Sequence, residues 1–206
     1  MVITKEFIWL HFGKTAGTSF RNSLCQLFPD SFSAPDNQPW KHANIKIAKR
    51  FGVTIKTDLP FACGFRRLGS WAESHLNQQF GDNIPEEARQ ATIRGRLYLA
   101  PSSLARKAKI FQGVKTLDDL LRYYYEDTLP FLLRQEFLVQ DFICFYNHIG
   151  GVIVGSGQIE EAFKIKLNIG SYKRGSIFNS SELAYLYSSC PFWSELERQL
   201  YPPNLY

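Results

Sequence analysis

The chain has 206 residues, of which 45% are hydrophobic and 21% charged, and its formal net charge is +5. This composition excludes a disordered chain, and the length suits one sizeable hydrophobic core. The basic balance favours an anionic ligand such as a nucleotide, a nucleic acid or a membrane surface without choosing among them, and a solvated basic surface explains it equally well.

The cysteines and histidines show no metal-ligand spacing, so we expect reduced thiols and no bound metal. The cysteines are Cys25, Cys63, Cys144 and Cys190. Two of them, Cys63 and Cys144, lie in apolar runs and are expected to pack as small hydrophobic residues. The apolar part of Met1–Leu10 is too short for a signal peptide or a membrane span, which predicts a cytoplasmic protein without a membrane partner. A catalytic domain cut from a membrane-anchored parent is the alternative.

The spacing of apolar residues predicts an α/β chain. Buried strands are predicted over Glu6–Phe12, Leu59–Phe65 and Leu132–Val139, and a loop over Pro29–Pro39. Helices are predicted, in chain order, over Thr18–Phe28, Trp40–Phe51, Ser70–Phe80, Pro85–Arg94, Thr116–Leu129, Asp141–His148, Gln158–Leu167 and, interrupted by Pro191, Ser180–Tyr201. No repeat or linker divides the chain, so residues 1–206 are predicted to form a single domain.

The first predicted strand ends in a glycine-bearing loop that leads into a helix, with the residues H-F-G-K-T-A-G-T-S-F over His11–Phe20. A loop of this kind turns backbone N–H groups toward an anion, and the helix N-terminus adds the positive end of its dipole. Lys14 adds a full charge, and hydroxyl donors follow it. The segment therefore predicts a phosphate or sulfate site, with an ordinary strand-to-helix turn as the alternative.

A triphosphate-binding loop requires the pattern G-x-x-x-x-G-K-[ST]. The residues Gly13-Lys14-Thr15 supply its end, but the position five before Gly13 is Ile8, inside the predicted strand. The missing glycine disfavours a nucleotide or small-molecule kinase, which stays the alternative enzyme.

The residues K-T-A-G-T-S after an apolar strand resemble the 5′-phosphosulfate loop of sulfotransferases that use 3′-phosphoadenosine-5′-phosphosulfate (PAPS), especially the carbohydrate-type branch. The resemblance implies that Lys14 contacts the bridging oxygen and the 5′-phosphate. It also implies that the following residues wrap this phosphate through N–H and hydroxyl groups; these are Thr15, Ala16, Gly17, Thr18 and Ser19. Gly13 stands where the family usually has Pro, whose geometry Gly can adopt at an entropic cost.

The segment F-A-C-G-F-R-R-L-G-S-W-A-E-S-H resembles the second signature of the family, in which a buried strand ends in Arg and a Ser follows eight residues later on a helix. Arg66 and Ser74 occupy these positions, which implies that they bind the 3′-phosphate of PAPS, Arg66 through a bidentate contact. Arg67 is the alternative to Arg66. Leu68 stands where the family often has Pro, and a solvated Arg pair is the alternative without a ligand.

Two further segments resemble the family more weakly. The residues Y-K-R-G-S resemble the R-K-G element with which cytosolic sulfotransferases contact the 3′-phosphate, so Lys173, Arg174 and Gly175 are candidates, against a basic surface turn. The segment Leu133–Phe142 resembles a strand-and-turn element whose role in the family is mainly structural.

The residues W-K-H-A-N resemble the family segment with K-H-A at a helix start, between the two PAPS motifs. This makes His42 the candidate base that takes the proton of the acceptor hydroxyl, with a capping or surface histidine as the alternative. His11 is expected to pack against its neighbours. Lys14 would neutralise charge on the leaving adenosine 3′,5′-bisphosphate, and no metal is required.

The resemblance implies a three-layer αβα, P-loop-NTPase-like sulfotransferase fold with a central, mainly parallel sheet. The implied reaction moves the sulfuryl group from PAPS to a hydroxyl of an acceptor. Basic residues in Gly81–Lys109 favour an anionic glycan or another carbohydrate as this acceptor; they are Arg89, Arg94, Arg96, Arg106, Lys107 and Lys109. A non-enzymatic polyanion-binding module is the remaining alternative. No nucleic-acid partner is expected, because no nucleic-acid-binding motif is present and Lys and Arg are dispersed.

Overall fold

The computed structural model describes residues 1–35, 39–56, 58–103, 110–125, 130–164 and 176–202. The described chain is α/β, as predicted, and has a five-stranded sheet flanked by helices, two strands more than predicted. It divides into two compact units, which we call the sheet unit (Met1–Phe65 and Tyr124–Ser171) and the helical unit (Arg66–Tyr123 and Tyr172–Tyr206). The single domain over residues 1–206 stays a prediction. No helix among the described residues is long and apolar enough to cross a membrane.

The sheet has the strand order β3-β1-β2-β4-β5. The strands are β1 Val2–Ile3, β2 Ile8–Leu10, β3 Phe32–Ser33, β4 Phe61–Phe65 and β5 Phe131–Arg134. Strands β2, β4 and β5 pair in parallel, and β1 runs antiparallel to its neighbours β2 and β3. The sheet is therefore mainly parallel, and its central strands are continuous apolar runs because they are buried on both faces.

The helices confirm most of the sequence predictions. Their bounds are α1 Gly17–Leu27, α2 Ile45–Arg50, α3 Leu68–Phe80, α4 Glu86–Ile93, α5 Leu117–Tyr125, α6 Leu138–His148, α7 Ser156–Phe163, α8 Ser180–Ser189 and α9 Pro191–Leu200. Pro191 begins α9, as expected for a residue without a backbone N–H. The predicted helices ending at Leu129 and Leu167 extend past α5 and α7 into segments outside the described residues.

The single helix predicted over Trp40–Phe51 is wrong. Residues Pro39–His42 form a 3₁₀ turn, and a separate helix begins at Ile45. The Asn44 side chain accepts the N–H of Ile47 at 3.0 Å and caps this new helix. Asn is favoured at the N-cap of a helix and disfavoured in its interior, so a new helix begins after Asn44.

The strand predicted over Leu132–Val139 is half wrong, because β5 ends at Arg134 and a 3₁₀ turn over Gln135–Phe137 leads into α6. The Asp141 carboxylate accepts the backbone N–H of Arg134 at 2.8 Å and binds its guanidinium at 2.7 and 2.9 Å. This bidentate pair turns the chain at the end of β5.

Aromatic packing forms the core of the sheet unit. The Phe7 ring meets the rings of Phe28, Phe142 and Phe145 edge-on, with centroids 5.3, 5.5 and 5.6 Å apart. Burying each such side chain contributes about 1.5–3 kcal/mol. Phe142 and Phe145 lie on α6, and Cys144 on the same helix is an exposed free thiol, so its predicted burial is wrong. Cys63 in β4 is buried, as predicted.

A buried carboxylate organises the helical unit. Glu197 on α9 accepts the N–H of Leu68, the first residue of α3, at 2.8 Å and the Tyr187 hydroxyl at 3.0 Å. The first N–H groups of a helix have no partner within the helix, and a negative charge is favoured beside them. Glu197 therefore supplies the acceptor for the first N–H group of α3.

Replacing Glu197 with Ala should destabilise the protein, because the buried N–H of Leu68 and the half-buried Tyr187 hydroxyl lose their acceptor. We expect a loss of about 2–4 kcal/mol in the free energy of unfolding, measured by urea denaturation. Glu195→Ala on the same helix is the matched control, since its side chain is 46% exposed, and it should change stability by less than about 0.5 kcal/mol. Equal effects of the two substitutions would contradict the assigned role of Glu197.

Candidate anion-binding site

The loop between β2 and α1 has an unusual backbone. Lys14 has φ 70° and Ala16 has φ 58°, and they are the only described non-glycine residues with positive φ. Their neighbours Gly13, Thr15 and Gly17 have none, so the sign of φ alternates along the loop. Such alternation forms a concave nest of backbone N–H groups that suits an anion. Each strained residue costs about 1–3 kcal/mol, and strain of this kind clusters at functional sites.

The start of α1 fits the same kind of ligand. Its N-cap residue, Ala16, offers no side-chain hydrogen bond, and the first turn contains no acidic residue. The positive end of the helix dipole therefore meets no carboxylate from its own first turn. Thr18 is exposed here, while Ser19 and Lys14 are half-buried.

Close packing against β4 places the loop. The buried Thr15 hydroxyl donates to the Phe12 carbonyl at 2.7 Å. A Cβ on Gly64 would lie 2.4 Å from the Thr15 hydroxyl oxygen, so only glycine fits at this position of the strand. Because the Thr15 hydroxyl proton is used by Phe12, the residue can offer an anion its backbone N–H but not this proton. Sequence reasoning missed Gly64, although a glycine inside a strand signals close approach of another chain segment.

A second glycine makes room for a histidine. A Cβ on Gly17 would lie 1.8 Å from Nε2 of His11, so the imidazole occupies the space where a side chain would stand. His11 is 3% exposed and its ring stacks on Trp9 with centroids 5.0 Å apart, which confirms that it packs as predicted. Gly17, the glycine of K-T-A-G-T-S, is thus required for packing and not for its backbone conformation, since its φ is not positive.

The structure places His42 beside this loop. It ends the 3₁₀ turn Pro39–His42 and is half-buried. Its Nδ1 atom lies 3.2 Å from the backbone oxygen of His11, and the two imidazole rings are 4.3 Å apart. The position of a Cβ on Gly13 would be 4.0 Å from the same Nδ1 atom. Candidate base and candidate anion loop are therefore neighbours within the sheet unit.

Sequence reasoning missed a residue that anchors His42. The buried Tyr124, near the end of α5, donates its hydroxyl to the backbone oxygen of His42, and its ring packs on Phe12 at 5.1 Å. Tyr124 lies within a run of three tyrosines, and helical spacing predicts burial of one of them but not its hydrogen-bond partner.

The candidates for the 3′-phosphate belong to the helical unit. Arg66 follows the last residue of β4, and its backbone oxygen accepts the indole N–H of Trp193 at 3.1 Å. The Arg67 guanidinium lies over the Tyr201 ring at 4.4 Å, a cation–π contact that gives Arg67 a structural role. Ser74 is half-buried within α3.

Lys173, Arg174 and Gly175 lie outside the described residues. The residue after them, Ser176, donates its hydroxyl to Glu73 at 2.6 Å, and Glu73 precedes Ser74 on α3.

Comparisons with protein-family models, with curated proteins and with solved structures yield no match to this chain.

The buried His11 should make stability depend on pH. Burial, and then the neighbouring His42, lowers the pKa of His11 well below its usual value of 6.5. Below pH 6.5, His11 therefore binds a proton in the unfolded chain but stays neutral in the folded chain. The free energy of unfolding falls as the pH falls. Between about pH 6.5 and 5, the free energy of unfolding of the wild type should drop by up to about 1.4 kcal/mol per pH unit more than that of His11→Phe. Parallel pH profiles from urea denaturation would contradict this.

Gly64→Ala should destabilise the protein by about 1–3 kcal/mol, because the new methyl group overlaps the Thr15 hydroxyl and the loop must shift. The matched control is Gly157→Ala in α7, where a Cβ meets nothing within 4 Å. There, alanine should be neutral or stabilise the helix by up to about 1 kcal/mol. Both are measured by urea denaturation, and a harmless Gly64→Ala would rule out the close packing.

Proposed function

We propose that this chain is a sulfotransferase that uses PAPS as its donor. The observation that supports the proposal most is the loop from Gly13 to Gly17, in which alternating φ and an α1 start without acidic residues form a cradle for a phosphate or sulfate. The sequence of this cradle, K-T-A-G-T-S, is the one that resembles the 5′-phosphosulfate loop. A three-layer αβα sulfotransferase fold is part of the proposal.

Each residue has a defined task in this reaction. PAPS, when bound, supplies the sulfuryl group. Lys14 and the backbone N–H groups of Thr15–Ser19 bind the 5′-phosphate end, and Lys14 offsets negative charge as the bond to the bridging oxygen breaks. Arg66 and Ser74 bind the 3′-phosphate, with Lys173–Gly175 as additional candidates. His42 accepts the proton of the acceptor hydroxyl.

The proposal is preferred to a kinase because the loop lacks the upstream glycine of a triphosphate site: Ile8 at that position is a buried residue of β2. It is preferred to a polyanion-binding module because a strained cradle of backbone N–H groups suits one compact anion, whereas a polymer requires an extended charged surface. The acceptor in this proposal is a hydroxyl-bearing molecule, with a carbohydrate or anionic glycan favoured.

Adenosine 3′,5′-bisphosphate should stabilise the protein in a thermal-shift titration, by about 2.7 kcal/mol at a concentration of 100 times its Kd. Lys14→Ala should weaken this binding about 10- to 100-fold, since a charge-assisted contact is lost. Lys49→Ala is the matched control, because Lys49 is exposed on α2, away from the loop sequence. It should bind as the wild type does.

Two comparisons in the same assay separate the alternatives. Stabilisation by ATP with Mg²⁺ and none by the bisphosphate would replace the proposal with a kinase, and stabilisation by heparin alone would replace it with a polyanion-binding module.

Adenosine 5′-monophosphate, which lacks the 3′-phosphate, tests the roles of Arg66 and Ser74. The wild type should bind the bisphosphate more tightly than the monophosphate, and Arg66→Ala or Ser74→Ala should remove this preference. A preference retained in both variants would refute their assignment.

A further inference from the structure

Contacts with Tyr124 and His11 hold His42 within the sheet unit. Its backbone oxygen accepts the Tyr124 hydroxyl, its Nδ1 atom lies 3.2 Å from the His11 backbone oxygen, and its ring lies 4.3 Å from the His11 ring. The partners are rigidly placed: Tyr124 is 1% exposed and His11 is 3% exposed. Both the main chain and the imidazole of His42 are therefore fixed by buried neighbours.

The contact with His11 determines where the proton of His42 resides. A backbone oxygen only accepts hydrogen bonds, so Nδ1 of His42 must carry the proton that it donates. A neutral imidazole carries one proton, and its lone pair then lies on Nε2. The geometry selects one tautomer, and with it the single atom of His42 that can take up a proton.

We propose that His11 and Tyr124 are positioning residues that fix His42 as the Nδ1–H tautomer, with Nε2 as its proton-accepting atom. The use of this atom as a base rests on the function proposed above, whereas the tautomer and its anchoring are properties of the chain alone. In the reaction, the O–H bond of the acceptor breaks and an N–H bond forms at Nε2. The electron pair of the O–H bond stays on the acceptor oxygen.

The buried ring of His11 suits this arrangement. Proton uptake turns His42 into an imidazolium that faces the His11 ring. Burial lowers the pKa of His11, so His11 stays neutral and the pair carries one positive charge instead of two. The Tyr124 hydroxyl meanwhile keeps the 3₁₀ turn in place, since its hydrogen bond ties the His42 carbonyl to a buried side chain.

The test is nitrogen NMR of the full chain with ¹⁵N-labelled histidine and without ligand, with the His42 signals assigned by their absence in His42→Gln. Neutral His42 should carry its proton on Nδ1 in the wild type. In Tyr124→Phe the share of the Nε2–H tautomer should rise by up to about tenfold, the factor that one hydrogen bond supplies. The matched control, Tyr185→Phe, removes a hydroxyl from a side chain that is 55% exposed and should match the wild type.

A proton on Nε2 of neutral His42 in the wild type overturns the proposal, and this measurement decides it even where Tyr124→Phe does not fold. An unchanged tautomer ratio in a folded Tyr124→Phe overturns the role of Tyr124. Adenosine 3′,5′-bisphosphate distinguishes the two levels of inference. If His42 is the Nδ1–H tautomer and the nucleotide does not stabilise the protein, the result supports the positioning of His42 and contradicts the sulfotransferase function. Stabilisation with the Nε2–H tautomer overturns the positioning alone.

Discussion

The approach of two side chains to two glycines determines the geometry of the anion loop. Thr15 fits against Gly64 of β4, and the imidazole of His11 fits against Gly17 at the start of α1. With these contacts in place, the chain between them has little room, and Lys14 and Ala16 take up left-handed conformations that such residues otherwise avoid. The cradle is thus a consequence of packing in the sheet unit. The position of His42 is a consequence of the same packing, because His42 contacts His11.

Two helices that directly follow parallel strands, α1 after β2 and α3 after β4, have different starts. The start of α3 is satisfied by the carboxylate of Glu197, a negative charge supplied by the protein itself. The start of α1 has a nest of strained backbone and neither a side-chain cap from Ala16 nor an acidic first turn. A helix start of the second kind suits an anionic ligand, such as the 5′-phosphate of the proposed donor. This contrast within one protein supports ligand binding at the first loop more strongly than the loop sequence does alone.

Local patterns explain what could be predicted from the sequence. The continuous apolar runs of β2 and β4, the periodic helices α3 and α4, and the glycine-bearing loop after β2 are each encoded within a dozen residues. Strands β1 and β3 have two residues each, too few for any periodicity, and they form because β1 pairs with both β2 and β3. The start of α2 after Asn44 depends on a hydrogen bond from the backbone N–H of Ile47 to the Asn44 side chain, and this bond competes with continuation of a single helix.

The candidate site was predictable only in part, for the same reason. Lys14 and its neighbours form a recognisable segment, but the reason for Gly64 lies 49 positions away in Thr15, and Tyr124 meets His42 across 82 positions. Contacts of this range follow from tertiary packing. No spacing rule in a single sequence indicates them, so the residues that hold the site are harder to find than those that would touch a ligand.

The left-handed residues Lys14 and Ala16 also bear on how fast a ligand can bind. Their strain is overcome when the chain folds, so the backbone donors are already arranged before any anion arrives. In the proposed function, donor binding then needs no ordering of the loop, and the ordering entropy that slows and weakens flexible anion sites does not oppose it. With a net charge of +5, the protein attracts small anions over a distance, and their association rate should be set by diffusion and ionic strength instead of by a conformational step.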